Sequence, residues 1–239
     1  MSNPSASVVA IIDYGMGNLF SVTQACEQAG LQTVITSSPK EMLASDAVIL
    51  PGVGAFGDAM NALERLDLIS GLRDVAASPK PLVGICLGMQ LMMSESNEFG
   101  SHRGLGIIEG EVVRLEGPAD QNKVLKVPQV GWNQISSSSS HRGNDTTDLL
   151  NTAWESPIFG GILDGEYMYF IHSFYAKPAD ASVVVSTTQY GETEFCSSLI
   201  VGSVFACQFH PERSGPAGLR VYQNLSKLIP KPEREQRNA

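Results

Sequence analysis

This sequence predicts an α/β fold, a mixed and mainly parallel sheet with helices on both faces, and three observations predict it. Residues 8–12 and 47–50 are uninterrupted apolar runs, the pattern of strands buried on both faces. In the N-terminal half such runs alternate with stretches of helical spacing, as successive strand–helix units of a parallel sheet do. From residue 104 the texture changes to short strands and turns, read as a mixed extension of the same sheet.

In order, the run at 8–12 is the first strand. Asn18 then opens a helix whose apolar positions are Leu19, Val22, Cys26 and Ala29, and Gly30 ends it. Residues 34–35 and 47–50 are the next strands. Residues 57–77 carry one helical period, with Met60, Leu63, Leu66 and Leu72 inward, and Pro79 and Pro81 stop it ahead of a strand at 82–85. Short strands are expected at 107–115, 124–127, 167–175, 183–188, 195–200 and 205–209, and a closing helix at 218–229 presents Leu219, Tyr222, Leu225 and Ile229.

At 239 residues the chain is long enough for one large domain, placed at 8–230 behind an extension at 1–7. The serine run that begins at Ser136 is low-complexity, and 136–150 reads as a surface-loop insertion; 231–239 is a polar, charged tail. A net charge of −9 argues against a broad nucleic-acid-binding face. Cys26, Cys86, Cys196 and Cys207 form no C-x-x-C pair and no zinc spacing with the four histidines, so free thiols and no metal are expected. With no secretory leader pattern and no apolar stretch of spanning length, a cytoplasmic protein without membrane contact is expected.

The most informative segment is Gly84-Ile85-Cys86-Leu87-Gly88. A strand enters, a helix-forming run leaves, and the thiol stands between two glycines, as in the strand–nucleophile–helix elbow. Such a turn lifts the sulfur out of the sheet and sets it at a helix N-terminus, which favours the thiolate. Taken alone, the pattern fits a packed, inert cysteine equally well. Far downstream, a strand delivers His210 into a proline turn, with Glu212 two residues on. A cysteine nucleophile needs a base, and the base needs a group that fixes its tautomer. Cys86, His210 and Glu212 supply the three roles, and each segment strengthens the reading of the other. His172, in an apolar strand, and His102, in a glycine-flanked turn, are weaker candidates for the base.

These segments, together with residues 13–19 (DYGMGNL), 51–56 (PGVGAF), 130–133 (VGWN), 169–173 (YFIHS) and 208–214, resemble the triad-type class I glutamine amidotransferases, whose fold is flavodoxin-like. Among these the resemblance is to the glutaminase subunits of imidazole glycerol phosphate synthase, and it runs in order from residue 8 to about residue 229. It implies hydrolysis of glutamine to glutamate and ammonia with no cofactor. The ammonia would pass within a heterodimer to a (β/α)8-barrel cyclase subunit of histidine biosynthesis. It implies that the amides of Val53 and Leu87 form the oxyanion hole. Gly54, Gln90, Glu98, Ser173 and Phe174 would hold the glutamine, with Glu98 on its α-ammonium. Asn18 and Trp132 would lie at the partner interface and ammonia passage. Two positions depart from the family pattern: Phe174 stands for a usual tyrosine, and Gln129 for a common histidine. A paralogous glutaminase that feeds a sugar amidotransferase of surface-polysaccharide synthesis shares every motif quoted. The glycines at 15 and 17 make no dinucleotide fingerprint, because position 20 is Phe20.

Overall fold

The computed structural model describes residues 7–117, 119–120, 123–138, 154 and 156–229. Along the first half run β1 (Val8–Ile12), α1 (Leu19–Gln28), β2 (Gln32–Thr36), α2 (Pro39–Ala44), β3 (Ala47–Leu50), α3 (Phe56–Arg65), α4 (Leu68–Ala76), β4 (Leu82–Ile85) and α5 (Leu87–Leu91). Then come β5 (Met93–Ser96), β6 (His102–Arg103), β7 (Ile108–Arg114), β8 (Ala119–Asp120), β9 (Lys123–Val124), β10 (Gln129–Ser137), β11 (Glu166–His172), β12 (Phe174–Pro178), β13 (Val184–Tyr190), β14 (Thr193–Val201), β15 (Val204–Cys207) and α6 (Gly215–Leu228). None of the described helices is long and apolar enough to cross a membrane.

Among the described residues, nine strands form the main sheet in the order β11-β10-β13-β14-β15-β4-β3-β1-β2. From β15 to β2 the neighbours are parallel; from β11 to β15 they are antiparallel. Two-residue turns join β13 to β14 and β14 to β15: Gly191 and Gly202, at φ of 60° and 57°, take the left-handed conformation that tight hairpins need. The double burial read from β1 holds. Val9 and Ile11 enter one core with α1 and α6, through Val22, Cys26, Tyr222 and Leu225. Ala10 and Ile12 enter the other with α2 to α5, through Met42, Leu63, Leu72 and Met89.

Several expectations are corrected. The period over 57–77 is two helices, broken where Asp67 adopts φ 55°, ψ 33°; Asp is among the few residues that tolerate that region. Residues 167–175 are two strands parted at Ser173, because β12 leaves the main sheet and joins β7, β5 and β6 in a second, four-stranded sheet. The stretch expected at 107–115 belongs to that second sheet as β7, so the later strands are not one extension of the first. Of 124–127 only Val124 is strand, paired within a short ribbon. On α6 Val221 is buried and Leu219 only half-buried, and the helix begins at Gly215. Helix α2 was not anticipated, although Ser38 caps it, accepting from Glu41 N at 3.5 Å, and Pro39 sits at its first position. Within the expected insertion, Ser136 and Ser137 pair with β13 and Ser137 and Ser138 are buried, so the serine run starts inside the sheet. Residues 139–150 lie outside the described residues, as do 1–6 and 231–239.

Candidate active site

Parallel strands β1, β3, β4 and β15 all end on one side of the sheet. That side therefore gathers the loop after β1, the Pro51–Gly54 turn after β3, Cys86 after β4 and Gln208 to Glu212 after β15. Carboxyl ends of strands are where open α/β sheets place their ligands. Register does the final placement. Cys207 is paired with Ile85 and Cys86 N donates to Cys207 O at 2.8 Å, so the next residue on each strand, Gln208 and Cys86, meet.

Cys86 lies at φ 55°, ψ −109°, strained for a non-glycine residue, and is the N-cap of α5. The elbow glycines have specific causes. A Cβ on Gly84 would stand 2.8 Å from the Met92 methyl and 3.0 Å from Met89 N, and one on Gly88 would run into the carbonyl of Leu50. The sequence reading of a tight turn is right, and the crowding comes from the elbow helix and from the end of β3.

His210 Nδ1 bonds to Glu212 Oε1 at 2.8 Å, with the Glu212 side chain 1% exposed. A carboxylate can only accept, so Nδ1 carries the proton there and Nε2 becomes the working atom. Nε2 is buried and makes no well-formed hydrogen bond to a described residue. Burial alone would press the imidazolium to lose its proton. Negative charge on the Cys86 sulfur and the Glu212 carboxylate outweigh that and push His210 up to about 10. That direction favours an imidazolium between sulfur and carboxylate. The backbone is pinned as well: His210 N donates to Tyr169 O at 2.8 Å, and Ser214 Oγ donates to His210 O at 2.7 Å.

His172 behaves differently. Burial, only partly offset by its contact with the Phe174 carbonyl, holds it down at about 4, so it is neutral. Its Nδ1 donates to Phe174 O at 2.9 Å, which leaves Nε2 as an acceptor facing the side-chain amide of Gln129 at 3.1 Å. The Gln129 amide must then present its nitrogen to the ring. His172 therefore holds the Phe174 carbonyl as a buried neutral ring.

The remaining expected residues divide into two groups. Gly52 packs against Leu87, where an added Cβ would lie 2.9 Å from the Leu87 Cβ, so the Val53 turn rests on the first residue of α5. Tyr14 OH, buried, donates to Pro51 O at 2.8 Å and anchors that turn from below. Gly54 sits at φ 117°, and Val53 is exposed. Glu98 is buried rather than solvated: its Oε2 accepts from Phe56 N at 2.6 Å, the first amide of α3, two residues past Gly54. Gln90 is buried and donates to Phe174 O at 2.8 Å. The other group is on the surface. Asn18 caps α1 by accepting from Ser21 N at 3.2 Å, and Trp132, 56% exposed on β10, stands edge-on to Tyr169. Two contributors went unread in the sequence: Tyr14, and Gln208, which is fully buried with its Nε2 3.5 Å from the Cys86 sulfur. The signal for Gln208 was the pairing of the strand before the elbow with the strand before His210.

Comparison with known proteins identifies the family. Residues 10–226 match the family "Glutamine amidotransferase class-I". The chain is 44% identical over 222 residues to "Imidazole glycerol phosphate synthase subunit HisH" of Syntrophotalea carbinolica, covering 92% of this chain and 100% of that protein. It is 43% identical to the subunit of the same name from Aquifex aeolicus, covering 92% and 97%. Among solved structures, "Structure of PurLQS from Thermotoga maritima" superposes with a TM-score of 0.69 at 18% identity, covering 94% of this chain and 100% of that one, a likeness of fold. With its fold, its elbow and its relatives in agreement, this chain belongs to the class I glutamine amidotransferases, within the HisH subunits of imidazole glycerol phosphate synthase.

Proposed function

We propose that Cys86, His210 and Glu212 carry out the glutaminase half-reaction of this amidotransferase subunit. The observation that carries the proposal is the His210–Glu212 bond, which turns Nε2 of a buried ring into the end of the sheet where the elbow presents Cys86. The thiolate attacks the side-chain amide carbon of glutamine, and the tetrahedral oxyanion is met by the amides of Val53 and Leu87. Leu87 N is the first amide of α5, a donor with no acceptor inside its own helix. His210 gives its Nε2 proton to the departing ammonia, then takes one from the water that hydrolyses the γ-glutamyl thioester. Glu98 holds the α-ammonium, with Gly54, Gln90, Ser173 and Phe174 around the substrate. The reaction closes without metal or cofactor.

The ammonia leaves through a face bearing Asn18 and Trp132 to a (β/α)8-barrel cyclase subunit that builds imidazole glycerol phosphate, the pair working in the cytoplasm. Both relatives described above are named as synthase subunits, and nothing in them favours a sugar amidotransferase. The test is co-purification with the candidate cyclase, then turnover with glutamine and with ammonium salt. Stable association and glutamine-dependent product support the reading; a complex that turns over only ammonium overturns it.

Two further outcomes follow from the site. Glu212 supports the proton on His210, so Glu212→Gln lets the ring deprotonate sooner. The alkaline limb of the glutaminase pH–rate profile moves to lower pH, and kcat falls about 10²- to 10⁴-fold. Initial rates across pH for both proteins check this. A glutamine-mimicking diazo-oxo-norleucine labels Cys86 alone. Burial raises Cys26 to about 12 and lifts Cys196 and Cys207 well above the ordinary thiol range, so these three stay protonated and inert. Peptide mass mapping locates the label.

A further inference from the structure

We propose that Gln208 is a fourth catalytic residue, an amide donor to the Cys86 sulfur, and that Gln90 positions it from behind. The proposal rests on Cys86 being the nucleophile. The donor directions are forced. The Phe174 carbonyl can only accept, so Gln90 must turn its Nε2 toward it, at 2.8 Å. The same nitrogen lies 3.0 Å from one terminal atom of the Gln208 amide, which must therefore be oxygen. The other terminal atom of Gln208 is then nitrogen, and it stands 3.5 Å from Cys86 Sγ. The amide cannot flip without breaking two bonds in series. Gln208 is completely buried, and its backbone is held on β14 by donation to Ser197 O at 2.9 Å.

A neutral N–H directed at sulfur favours the thiolate over the thiol, because the donor is already oriented and sits on a fully buried side chain. It adds no charge, so it leaves the proton on His210 for the leaving group. The arrangement also gives Gln90 a purpose besides contact with substrate, since both of its N–H groups are engaged within the chain. Four titratable groups bear on the sulfur. His210, with Glu212 behind it, favours the thiolate. Tyr14, after β1, and Cys207, on β15, are both held protonated far above neutral pH by burial. His210 holds its proton up to about 10, so a shift caused by Gln208 is read against a ring of constant charge.

The test is the pH dependence of Cys86 alkylation by iodoacetamide, measured with the partner-free chain, on Gln208→Met and Gln208→Glu. Losing a hydrogen bond to a charged group is worth about tenfold or more in the ionisation equilibrium. The half-point of alkylation then moves up about one pH unit in Gln208→Met. It moves further in Gln208→Glu, which keeps the shape but turns an acceptor on the sulfur. Glutaminase kcat falls about tenfold in Gln208→Met while KM for glutamine changes less than twofold. If one variant does not fold, as judged by circular dichroism, the other carries the comparison. Superimposable alkylation profiles in a folded variant overturn the proposal. Alkylation reads the sulfur whether or not glutamine is the substrate. Its failure therefore differs from failure of the nucleophile assignment, which would show as hydrolysis surviving in Cys86→Ala.

Discussion

Cys86→Ala abolishes glutamine hydrolysis and leaves the protein folded. The loss is complete because no other cysteine can take over: Cys26, Cys196 and Cys207 are buried in the cores, and burial keeps each of them protonated. The fold survives because alanine keeps the Cβ and the backbone that the elbow needs. Cys86 N still donates to Cys207 O, and Met89 N to Cys86 O. Cys86→Ser is nearly as inactive, since the hydroxyl is too weak an acid to yield a nucleophile beside an imidazole already holding its proton. In complex with the cyclase, either variant still makes product from ammonium salt at the wild-type rate. Glutamate release, circular dichroism and ammonium-dependent turnover on the same preparations measure all three. Substantial glutaminase activity in Cys86→Ala would sink the mechanism.

Docking of a substrate-loaded partner accelerates glutamate release by at least an order of magnitude. The Pro51–Gly54 turn is built for such a response. Its base is fixed by the Tyr14 hydroxyl on the Pro51 carbonyl, while glycines flank Val53, a residue 44% exposed and open to contact. Rotation of the Gly52–Val53 peptide directs the Val53 N–H toward or away from the oxyanion position, and the torsion on the Gly52 side is not restricted by a side chain. Losing one oxyanion donor costs roughly 10²- to 10³-fold in rate, enough to make the turn a sufficient control. Release of glutamate is measured with the chain alone, with the cyclase, and with the cyclase and its nucleotide ligand. Equal rates in the three would mean that the turn is rigid and Cys86 always competent.

The parts of the fold that were legible in the sequence are those dictated by local physics. Continuous apolar runs gave β1, β3 and β4, and glycines crowded by neighbouring backbone gave the elbow. What was not legible depended on partners distant in sequence. Nothing local at Ser173 says that the chain passes from one sheet to another there; that follows from β12 pairing with β7. Asp67 breaks a helix whose apolar period continues across the break. Helix α2 is the exception, since the Ser38–Pro39 cap was present and short length hid it. The site divides the same way. Cys86, His210 and Glu212 announce themselves by residue type within a turn, whereas a buried glutamine has no signature. Gln208 acquires meaning only when strand register sets it against Cys86 and Gln90 fixes its amide.

In the mechanism proposed for this site, glutamine is split through a covalent intermediate on Cys86. Rapid acid quench of the protein mixed with glutamine and its loaded partner, followed by mass analysis of the peptide bearing Cys86, tests it most directly. A γ-glutamyl adduct is expected on that peptide, formed before steady-state glutamate release and absent in Cys86→Ala. Full glutamine turnover with an unmodified Cys86 peptide, or an adduct on another residue, would contradict it.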